Sequence, residues 1–573
     1  MKLKEVTIEN FRSIKSLDIP LDDLTVLIGE NNIGKSTVLE AIRIALTRGY
    51  GAKRGWQFSE YDFHLDCAEA TPQSAEPISI ILHFAEKNQD EWPSAIIQQM
   101  NECIQLDNDG LYHIWLRVKG EYQQTTSSFE GKWIFLNEVG NELTKPKQSD
   151  VNMLSRFVPM FFLSALRDAT QEFSQRGQFW SGFLKSIQVP EDKRQEIERM
   201  LMEVNSYVID ANDGLSEVSS KIAEAGKHIP LGSIDPVVLE AVPTRIFDMV
   251  GKIQVHLKSN NGAKLPIQRY GEGTQSLAVL MLFQAFAAIS LNEIYTPEST
   301  PILALEEPEA HLHPSAIRSL GSLLVTLAGQ LLVTSHSGDL VSRVPVTSLR
   351  RLYKINGDTR VGRIETGNFT PREIQAINYN IRLTRGHYLF SRCWLFVEGE
   401  SDFHFMPLIF ELMGFSQDDI SFSVIEISQV IKKGEPLIKF AQSLGIQWFL
   451  MADGDAEGQS YVDRASQYCT NGEQPSVRTK LLNSIDIEHE FWNNGFDDFI
   501  RSKLTETQIN RIKLNHNDPD EEIKQLIKSA IKKVGGKPAF AQEIMQEVEN
   551  KGVASIPQVL KDVVNNVVQM AGG

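Results

Sequence analysis

The chain has 573 residues, too many for one hydrophobic core, and this length predicts roughly two to four domains. Its composition, 42% hydrophobic and 23% charged residues, is that of a folded globular protein. The formal net charge of −17 excludes the simplest kind of nucleic-acid binder, one with a basic surface throughout. A local basic patch or bound metal would still allow such binding.

Cysteine usage and hydropathy bear on location. The four cysteines show no CxxC spacing, so the sequence gives no sign of a disulfide framework or a zinc cluster. The start, MKLKEVTIENF, has no apolar core of signal-peptide length, and no segment approaches the roughly 18 uninterrupted apolar residues of a membrane span. We therefore expect a protein of the reducing cytoplasm that does not enter a membrane.

The first part of the chain mixes predicted strands and helices. VTIENF and LTVLIG predict short strands, and STVLEAIRIAL predicts a helix with one apolar face. ISIILHF and IWLRV then predict strands of an antiparallel section. From Arg176 to about Lys227 the text is charged and helical, which we interpret as a helical insertion.

Strands return at KIQVHL, PILAL and LLVTS, each followed by helical text, the alternation typical of a parallel α/β sheet. KINGDTRVGRIETGN then predicts a hairpin. TPRE predicts a capping box with Thr370 as N-cap and Glu373 three residues on. The helix that it opens leads into a second, smaller α/β unit, whose buried strands are predicted at CWLFV and IQWFLMA.

The stretch GENNIGKS fits G-x-x-x-x-G-K-[ST] and lies between a predicted strand and a predicted helix. In such a loop the backbone N–H groups and the helix N-terminus hold phosphate oxygens, Lys35 neutralises the β and γ phosphates, and Ser36 binds Mg²⁺. A chance glycine-rich turn is the alternative, but the context favours an ATP site. The predicted nucleotide-binding residues of this loop are Gly29, Asn31, Asn32, Gly34, Lys35, Ser36 and Thr37.

Two later motifs complete a predicted ATPase site. In ILALEEPEAHLHP a strand ends in Glu306, which we expect on the Mg²⁺, and Glu307, which we expect to orient the attacking water. LLVTSHS ends a further strand with His336, positioned to sense a γ-phosphate. Read alone, this histidine would be a hydrogen-bonded structural residue; after two matching motifs a function is favoured.

This order of motifs resembles the ABC-type ATPases of the structural-maintenance-of-chromosomes (SMC) class. The opening IENFRSIKSLDI shares the resemblance, and Arg12 matches a nucleotide-contacting arginine of that class. In such proteins two ATPase heads sandwich nucleotide, each offering a signature loop to the phosphate of the other. The counterpart is YGEGTQS, with Gly271 and Gly273, although it lacks the usual serine before the glycines. Glu306 also stands where the class more often has Asp.

In the second unit, acidic residues follow two apolar strands and recur in SIDIEHEF. They are Glu398, Glu400, Asp402, Asp453, Asp455, Asp486, Glu488 and Glu490. Because parallel strands that end side by side bring their terminal residues to one crevice, we expect several carboxylates to converge there. Oxygen-only clusters suit Mg²⁺, Mn²⁺ or Ca²⁺ rather than zinc. A solvated acidic loop is the alternative.

The glutamate after one strand and the Asp-x-Asp after a later one resemble a TOPRIM domain, the metal-dependent fold of topoisomerases, primases and some nucleases. A TOPRIM domain behind an SMC-like ATPase resembles the OLD (overcoming lysogenisation defect) family of ATP-dependent endonucleases. The resemblance covers nearly the whole chain and includes FLSALRDA and EPEAHLHP. It implies two-metal cleavage of DNA by a homodimer or larger oligomer, with the helical insertion as dimerisation element.

The same resemblance implies roles for the acidic residues. The metal ligands are Glu398 and Asp402, then Asp453 and Asp455, then Asp486 and Glu488, with Glu400 just outside direct contact. The family site also includes a lysine near the C-terminus. Lys537, in GGKPAFAQEI, is the candidate, and an ordinary surface lysine is an equally open interpretation.

The predicted fold class is α/β: an ABC/SMC-like ATPase head with a helical dimerisation insertion, followed by a TOPRIM domain. The predicted boundaries are 1–175 and 231–385 for the ATPase, 176–230 for the insertion and 386–573 for the TOPRIM domain. Two alternatives stay open: an SMC-like DNA-clamping ATPase with an inactive TOPRIM domain, and a TOPRIM strand-passing or priming enzyme. Strand passage requires a tyrosine-bearing DNA-cleaving domain, and no segment is left to form one.

Three properties stay open at this point. The substrate could be a phage genome, a plasmid, damaged DNA or RNA. ATP could switch cleavage on or off. Proteins of this kind often belong to prokaryotic defence systems, so a partner protein or nucleic acid encoded in the same operon is a further expectation.

Overall fold

The computed structural model describes most of the chain. The described residues are 1–47, 58–67, 69–163, 189–226, 240–245, 256–258, 264–271, 273–275, 278, 281, 298–310, 312–327, 329–383, 386–428, 430, 434–469 and 472–572. Among these residues, no helix has the length and apolar character needed to cross a membrane.

The strands and helices are numbered in chain order. The strands are β1 (Leu3–Phe11), β2 (Ile14–Pro20), β3 (Leu24–Ile28), β4 (Ile78–Ala85), β5 (Gln105–Leu106), β6 (Tyr112–Gln123), β7 (Ser128–Leu136), β8 (Met160–Leu163), β9 (His256–Lys258), β10 (Lys264–Pro266), β11 (Ile302–Glu306), β12 (Gln330–Thr334), β13 (Leu349–Ile355), β14 (Asp358–Arg363), β15 (Cys393–Val397), β16 (Phe422–Glu426), β17 (Gln447–Ala452) and β18 (Thr479–Leu481). The helices are α1 (Lys35–Thr47), α2 (Ser94–Gln99), α3 (Gln148–Phe157), α4 (Glu191–Asp210), α5 (Asp213–Gly226), α6 (Pro314–Leu324), α7 (Gly338–Val341), α8 (Pro371–Leu383), α9 (Glu400–Leu412), α10 (Gln417–Ile420), α11 (Glu435–Ser443), α12 (Ala456–Ala465), α13 (Pro475–Arg478), α14 (Ile487–Phe491), α15 (Asp497–Ser502), α16 (Glu506–Asn515), α17 (Pro519–Val534), α18 (Lys537–Lys551) and α19 (Gln558–Ala571).

The ATPase part contains two large sheets. The first is antiparallel, in the order β2-β1-β4-β6-β5, with β7 paired to β6. The second runs β14-β13-β3-β12-β11-β8, and its strands are parallel except for the edge strand β14. Because β3, β12 and β11 are parallel, their carboxyl ends meet at one edge of the sheet. The predicted phosphate loop and the Glu306–Glu307 pair therefore lie at the same edge.

The second unit is built on a smaller, fully parallel sheet in the order β16-β15-β17-β18. β15 and β17 are the strands predicted at CWLFV and IQWFLMA, and they are direct neighbours, with Val397 opposite Met451. The residues that follow both strands therefore share one edge. This confirms the α/β class predicted from the sequence.

Most predicted elements are confirmed, including the hairpin β13–β14 and the capping box, in which Glu373 Oε2 accepts from Thr370 N at 2.9 Å. The interpretation of KIQVHL as a strand of the parallel sheet is wrong for its described end, because β9 pairs antiparallel with β10 in a separate hairpin. α4 and α5 lie where the helical insertion was predicted. Residues 176–188 and 227–230 of that insertion, and most of FLSALRDA, lie outside the described residues.

Candidate functional site

The phosphate loop joins β3 to the start of α1. Gly29 has φ +145°, and a Cβ there would lie 2.4 Å from the carbonyl oxygen of Leu352, so this position requires glycine. Gly34, with φ +108°, makes the second sharp turn before the helix begins at Lys35. Ser36 is exposed at the helix start, where its hydroxyl could reach a phosphate-bound cation. The described loop has the backbone needed to hold phosphate oxygens.

Lys35 is buried and points back into this loop. Its Nζ donates to the carbonyl oxygens of Gly29 and Glu30 at 2.9 and 2.7 Å. Burial lowers its pKa from 10.5 to about 8, although nearby carboxylates, led by Glu307 and Glu309, act in the opposite direction. Nearby oxygen atoms thus favour the charged form of Lys35, whereas burial excludes water from it. These are the conditions expected of a phosphate-binding lysine.

The structure brings Glu307 and His336 together beside this lysine. Glu307 follows β11 with φ +44°, and its N–H donates to the Thr334 carbonyl oxygen at 3.1 Å, which ties the ends of β11 and β12. Its Oε1 lies 3.4 Å from Nε2 of His336. Burial, followed by the charge of Lys35, lowers the pKa of His336, which favours the neutral imidazole.

Glu309 is a residue of this site that the sequence reasoning missed. Its Oε1 accepts from the Ser335 hydroxyl at 2.7 Å and from the His336 N–H at 2.8 Å, while its Oε2 is buried without a hydrogen-bond partner. Burial raises the pKa of Glu309. It fixes the loop that carries His336. The signal was the third glutamate of EEPEAH, only two residues beyond Glu307.

Arg12 lies in the turn between β1 and β2, with φ +51°. Its Nε donates to Asp62 Oδ1 at 2.9 Å, and a second nitrogen lies 3.9 Å from Glu40 of α1. The neighbouring Ser13 hydroxyl is 3.4 Å from that of Thr37. The structure therefore places the predicted nucleotide-contacting arginine against the helix of the phosphate loop.

Other predicted nucleotide residues occupy different surroundings. Glu306 ends β11 opposite Thr334, at the same sheet edge as Lys35. Asn31 and Asn32 are exposed in the phosphate loop. Gly271 is exposed in a loop tied to the β9–β10 hairpin, since the Tyr270 hydroxyl donates to the Leu257 carbonyl oxygen at 2.8 Å. Among the described residues nothing joins that loop, including Gly273, to Lys35.

A second polar site lies at the carboxyl edge of the smaller sheet. Glu398 follows β15 and Asp453 follows β17, and the Asp453 N–H donates to Glu398 Oε2 at 3.3 Å. Gly454 is packed so closely that a Cβ would lie 2.4 Å from the Ser484 carbonyl oxygen. The glycine therefore lets the chain segment that carries Asp486 and Glu488 approach the ends of β15 and β17.

Asp402 and Asp453 are the most strongly perturbed carboxyls of this site. Burial, followed by repulsion from neighbouring carboxylates, raises the pKa of Asp402 to about 8 and that of Asp453 to about 9. One carboxyl oxygen of each, Oδ1, is buried without a hydrogen-bond partner. Two buried, unsatisfied carboxyl oxygens facing further carboxylates form an electrostatic environment that a cation would relieve.

Glu488, which is buried, and Lys537, which is half-buried, complete this site. Glu488 Oε1 accepts from the Ser401 hydroxyl at 2.5 Å, and burial, with Asp486 next, raises its pKa. Lys537 begins α18 after two glycines, and its positive charge acts to lower the pKa of Glu488. Its Nζ lies 3.9 Å from Glu400. The structure thus brings the predicted lysine to the acidic site.

Asp455 and Asp486 have helix-capping contacts. Asp455 is exposed, and its Oδ1 accepts from the Gly458 N–H at 2.8 Å at the start of α12. Asp486 Oδ1 accepts from the N–H of His489 at 2.8 Å and lies 2.6 Å from its ring Nδ1. Glu490 accepts from the Ser484 N–H at 2.9 Å.

The spacing of these side chains bears on metal binding. Among the described residues, no group of three or more His, Cys, Asp or Glu side chains is arranged as a metal-ligand set. The donor type, the two unsatisfied oxygens and the raised pKa values fit a hard cation, whereas the present side-chain positions do not enclose one. Cation binding therefore requires the acidic side chains to rotate and to release protons.

Comparison with known proteins matches a family model to each of the two domains. Residues 1–341 match the family of AAA ATPase domains, and residues 389–455 match the TOPRIM domain of proteins like the overcoming lysogenization defect protein. The chain belongs to the OLD family. Over 590 residues it is 26% identical to the uncharacterized protein YbjD of Escherichia coli K12, with 100% of both chains covered.

Two further relatives carry the family name. The Old nuclease of Escherichia phage P2 is 25% identical, with 85% of this chain and 82% of the relative covered. The OLD nuclease of Thermus scotoductus is 24% identical, with 70% and 72% covered. This OLD-family enzyme therefore has an ATPase domain, which implies nucleotide use, and a TOPRIM domain, which implies a divalent metal.

The two domains of this OLD-family chain are joined next to the phosphate loop. Arg392, which directly precedes β15, donates to both carboxylate oxygens of Glu30 at 2.5 and 2.9 Å. Glu30 is the second residue of the phosphate loop, and the hydrogen bond from Arg392 lowers its pKa. The pair lines a cleft of about 670 Å³ that both domains enclose. A residue of the nucleotide loop is thus hydrogen-bonded to the residue that precedes β15, the strand that Glu398 follows.

Arg351 is the second polar link between the domains. It belongs to β13, beside β3, and is almost fully buried. Its guanidinium donates to backbone carbonyl oxygens of the TOPRIM side, at distances between 2.9 and 3.3 Å. Burial lowers its pKa to about 10. The acceptors are Leu389, Ser391, Leu444 and Gly445.

Proposed function

We propose that this protein is an ATP-binding and ATP-hydrolysing, divalent-metal-dependent DNA endonuclease. The observation that carries the proposal is the set of carboxyls around Asp402 and Asp453 at the edge of the TOPRIM sheet. These carboxyls repel one another, and one buried oxygen of each of the two aspartates has no hydrogen-bond partner. A purely structural cluster would gain nothing from such repulsion. Relatives named as nucleases agree with this function.

The residues that would hold cations are Glu398, Asp402, Asp453, Asp455, Asp486 and Glu488. When bound, such cations activate water and stabilise the leaving oxygen of a phosphodiester. Mg²⁺ is the proposed ion, with Mn²⁺ as a substitute; the oxygen donors would also accept Ca²⁺.

Residues of the chain release protons, position a ligand and offset charge in this site. The raised pKa values of Asp402 and Asp453 favour their protonated forms, and both groups would release protons as they bind a cation. Ser401 holds Glu488 in place through its hydroxyl. Lys537, beside Glu400, would offset part of the charge of a bound phosphate.

The test pairs two assays on the same proteins. Wild type, Glu398→Gln and Asp453→Asn are assayed for plasmid nicking and for phosphate release from ATP in Mg²⁺ and in Mn²⁺ buffers. Nicking should fall by on the order of a hundredfold or more in both variants, because metal contributions to phosphodiester cleavage are large, whereas ATP hydrolysis should persist. Asp463→Asn, an exposed acid of α12, is the matched control.

The outcomes separate the proposal from its rivals. Equal nicking by all four proteins would reject the acidic site. No nicking by wild type in any metal, with ATP hydrolysis intact, would favour the DNA-clamping ATPase. A covalent protein–DNA adduct would favour a strand-passing enzyme.

For the ATPase we propose that Lys35 binds the phosphates, Ser36 and Glu306 hold Mg²⁺, and Glu307 orients water beside His336. The contacts around Lys35 support this assignment. Gly271 and Gly273 would act on the nucleotide of a second subunit.

We also propose that the protein is a homodimer or larger oligomer that uses the helical insertion. The support is a set of large apolar side chains left exposed on α4 and α5, from a highly charged part of the chain. They are Met200, Met202, Val204, Tyr207, Val208 and Val218.

A role in prokaryotic antiviral defence, in the cytoplasm, is part of the proposal. The free thiols of the four cysteines agree with a reducing compartment. Plaque counts on cells that express wild type or Asp453→Asn, with and without the neighbouring genes, test the defence role and any operon partner.

A further inference from the structure

A second cleft, of about 950 Å³, lies on the opposite side of α8 from the domain core. One wall is α8, with Arg372, Gln375, Tyr379 and Arg382. The other wall includes Arg343, just after α7 in the ATPase domain. No acidic residue is among the described residues that line it, although the whole chain carries a net charge of −17. The cleft is therefore a local basic region on an acidic protein.

The residues of α8 form a regular stripe. Arg372, Gln375, Tyr379 and Arg382 are spaced by three, four and three residues, so they lie along one face of the helix. At 1.5 Å per residue, the two arginines are roughly 15 Å apart along the helix axis. With 3.4 Å per nucleotide of a strand in B-form DNA, this distance corresponds to about four phosphates.

The arginines are available for a ligand. Arg343, Arg372 and Arg382 are exposed, and none forms an ion pair with another residue that the structure describes. Tyr379 is 62% exposed on the same stripe, which places an aromatic side chain beside the charges. Unpaired arginines with an exposed aromatic ring are the combination that binds a phosphodiester backbone and a base.

The helix that carries the stripe is held firmly. Its N-terminus is fixed by the Thr370–Glu373 capping box, and Lys439 of α11 lies 3.5 Å from the buried Glu373. In its middle, Asn378 Oδ1 accepts from the Val346 N–H at 3.3 Å. The stripe therefore presents its charges from a fixed surface, without the ordering cost that a mobile loop would add.

The cleft also reaches the TOPRIM domain. Val430, in the loop after β16, forms its TOPRIM end. β16 is the parallel neighbour of β15, and the Ile427 N–H that follows it donates to the Val397 carbonyl oxygen, one residue before Glu398. The segment that follows β16 therefore contacts the cleft through Val430 and the end of β15 through Ile427.

We propose that this cleft, defined by Arg343, Arg372, Tyr379 and Arg382, binds the phosphate backbone of the DNA substrate and guides it to the acidic edge. The proposal rests on the proposed nuclease function for its choice of DNA, and it answers how so acidic a chain binds a polyanion. The acidic site repels phosphate, so a separate cationic surface has to supply the affinity.

The test measures binding separately from cleavage. A fluorescein-labelled DNA duplex is titrated with protein in Ca²⁺ at several salt concentrations, and affinity is read from fluorescence anisotropy. Arg372→Gln/Arg382→Gln should bind on the order of tenfold more weakly and reduce the slope of log affinity against log salt by about 2, because each arginine neutralises one phosphate. Arg372→Lys/Arg382→Lys keeps the charges and should keep most of the slope.

Controls identify the cause of any weaker binding. Arg360→Gln/Arg511→Gln removes two exposed arginines outside the cleft and should leave the slope unchanged. The ATP hydrolysis rate of every variant, measured without DNA, should equal that of wild type, which reports an intact fold.

Each result decides one point. An unchanged affinity and slope in Arg372→Gln/Arg382→Gln would overturn the cleft while leaving nicking by wild type unaffected. Cleft-dependent binding by a wild type that cuts no substrate would support the cleft and overturn the nuclease. Tighter cleft-dependent binding of an RNA of the same sequence would overturn DNA as the occupant.

Discussion

Replacing Asp453 by asparagine should stabilise the metal-free protein at neutral pH. The pKa of Asp453 is raised from 3.8 to about 9, so the folded chain holds a proton on this group that the unfolded chain releases above about pH 4. Stability from this group is therefore lost as pH rises from 4 through the folded-state value. Asparagine does not titrate, so the stability of the variant should not fall in this way as the pH rises.

The magnitude follows from the pKa values. Roughly three pH units separate 3.8 from pH 7, and each unit corresponds to about 1.4 kcal/mol, which sets an upper bound of about 4 kcal/mol. The charge of Asp402 raises the pKa of Asp453, and the pKa of Asp402 is itself raised, so the free-energy cost of ionisation is shared between the two groups. We expect a gain of about 2 kcal/mol in the free energy of unfolding at pH 7 and almost none at pH 4.

The assay is urea denaturation in EDTA, followed by far-UV circular dichroism, at pH values from 4 to 8. Asp455→Asn is the matched control: the side chain is exposed, and asparagine also caps helices, so its stability should follow wild type. Saturating Mg²⁺ should raise the stability of wild type, by about 2.7 kcal/mol at a hundred times the dissociation constant, and raise that of Asp453→Asn less. A variant no more stable than wild type at pH 7, or a gain equal at pH 4 and pH 7, would refute the reasoning.

Four further predictions concern the rest of the molecule. ATP affinity should fall by up to about tenfold per pH unit above pH 8, because the pKa of Lys35 is about 8 and binding then requires proton uptake; Lys35→Arg should give a flat profile by calorimetry. Glu307→Gln should bind ATP normally yet release phosphate about a hundredfold or more slowly, and normal turnover would move the water-orienting role elsewhere. Arg351→Leu should lower the free energy of unfolding, measured by urea denaturation, by at least about 3 kcal/mol, because it leaves buried carbonyl oxygens without a donor. Arg392→Gln, at an exposed ion pair, should lower it by about 1 kcal/mol or less. Tyr207→Asp should lower the molar mass measured by light scattering if the exposed face of α4 is the dimer contact; an unchanged mass would exclude that face.

The sequence predicted those parts of the two sites that depend on local chemistry. The phosphate loop is set by glycines at fixed spacing, and Gly29 indeed has a conformation that favours glycine. The carboxylates that follow β15 and β17 lie close together because adjacent parallel strands end at the same edge of a sheet. Applying this rule requires only the order of the strands. The order of the strands was therefore enough to predict that Glu398 and Asp453 lie close together.

The parts that were missed depend on tertiary contacts. Nothing local to Arg351 reveals that its acceptors lie on carbonyl groups some forty and ninety residues away. The Glu30–Arg392 pair spans 362 positions. KIQVHL alternates like any strand, so its text could not distinguish the parallel sheet from the separate hairpin that its described end forms. Only the folded chain supplies this information.

The TOPRIM sheet divides its side chains between two cores. Along β15, Trp394 and Phe396 point into the core that also contains Val26 and Ile28 of the ATPase sheet. The alternating residues of the same strand point into a second core formed by the C-terminal helices. A fragment cut at residue 386 would keep α11 and α12, whose Phe440 and Tyr461 lie in the same core, but it would lose the ATPase residues that share this core. The apolar side chains at that junction would then be exposed to water, and such a surface promotes self-association. A soluble version of the isolated TOPRIM domain would need the ATPase-facing part of this core redesigned or covered.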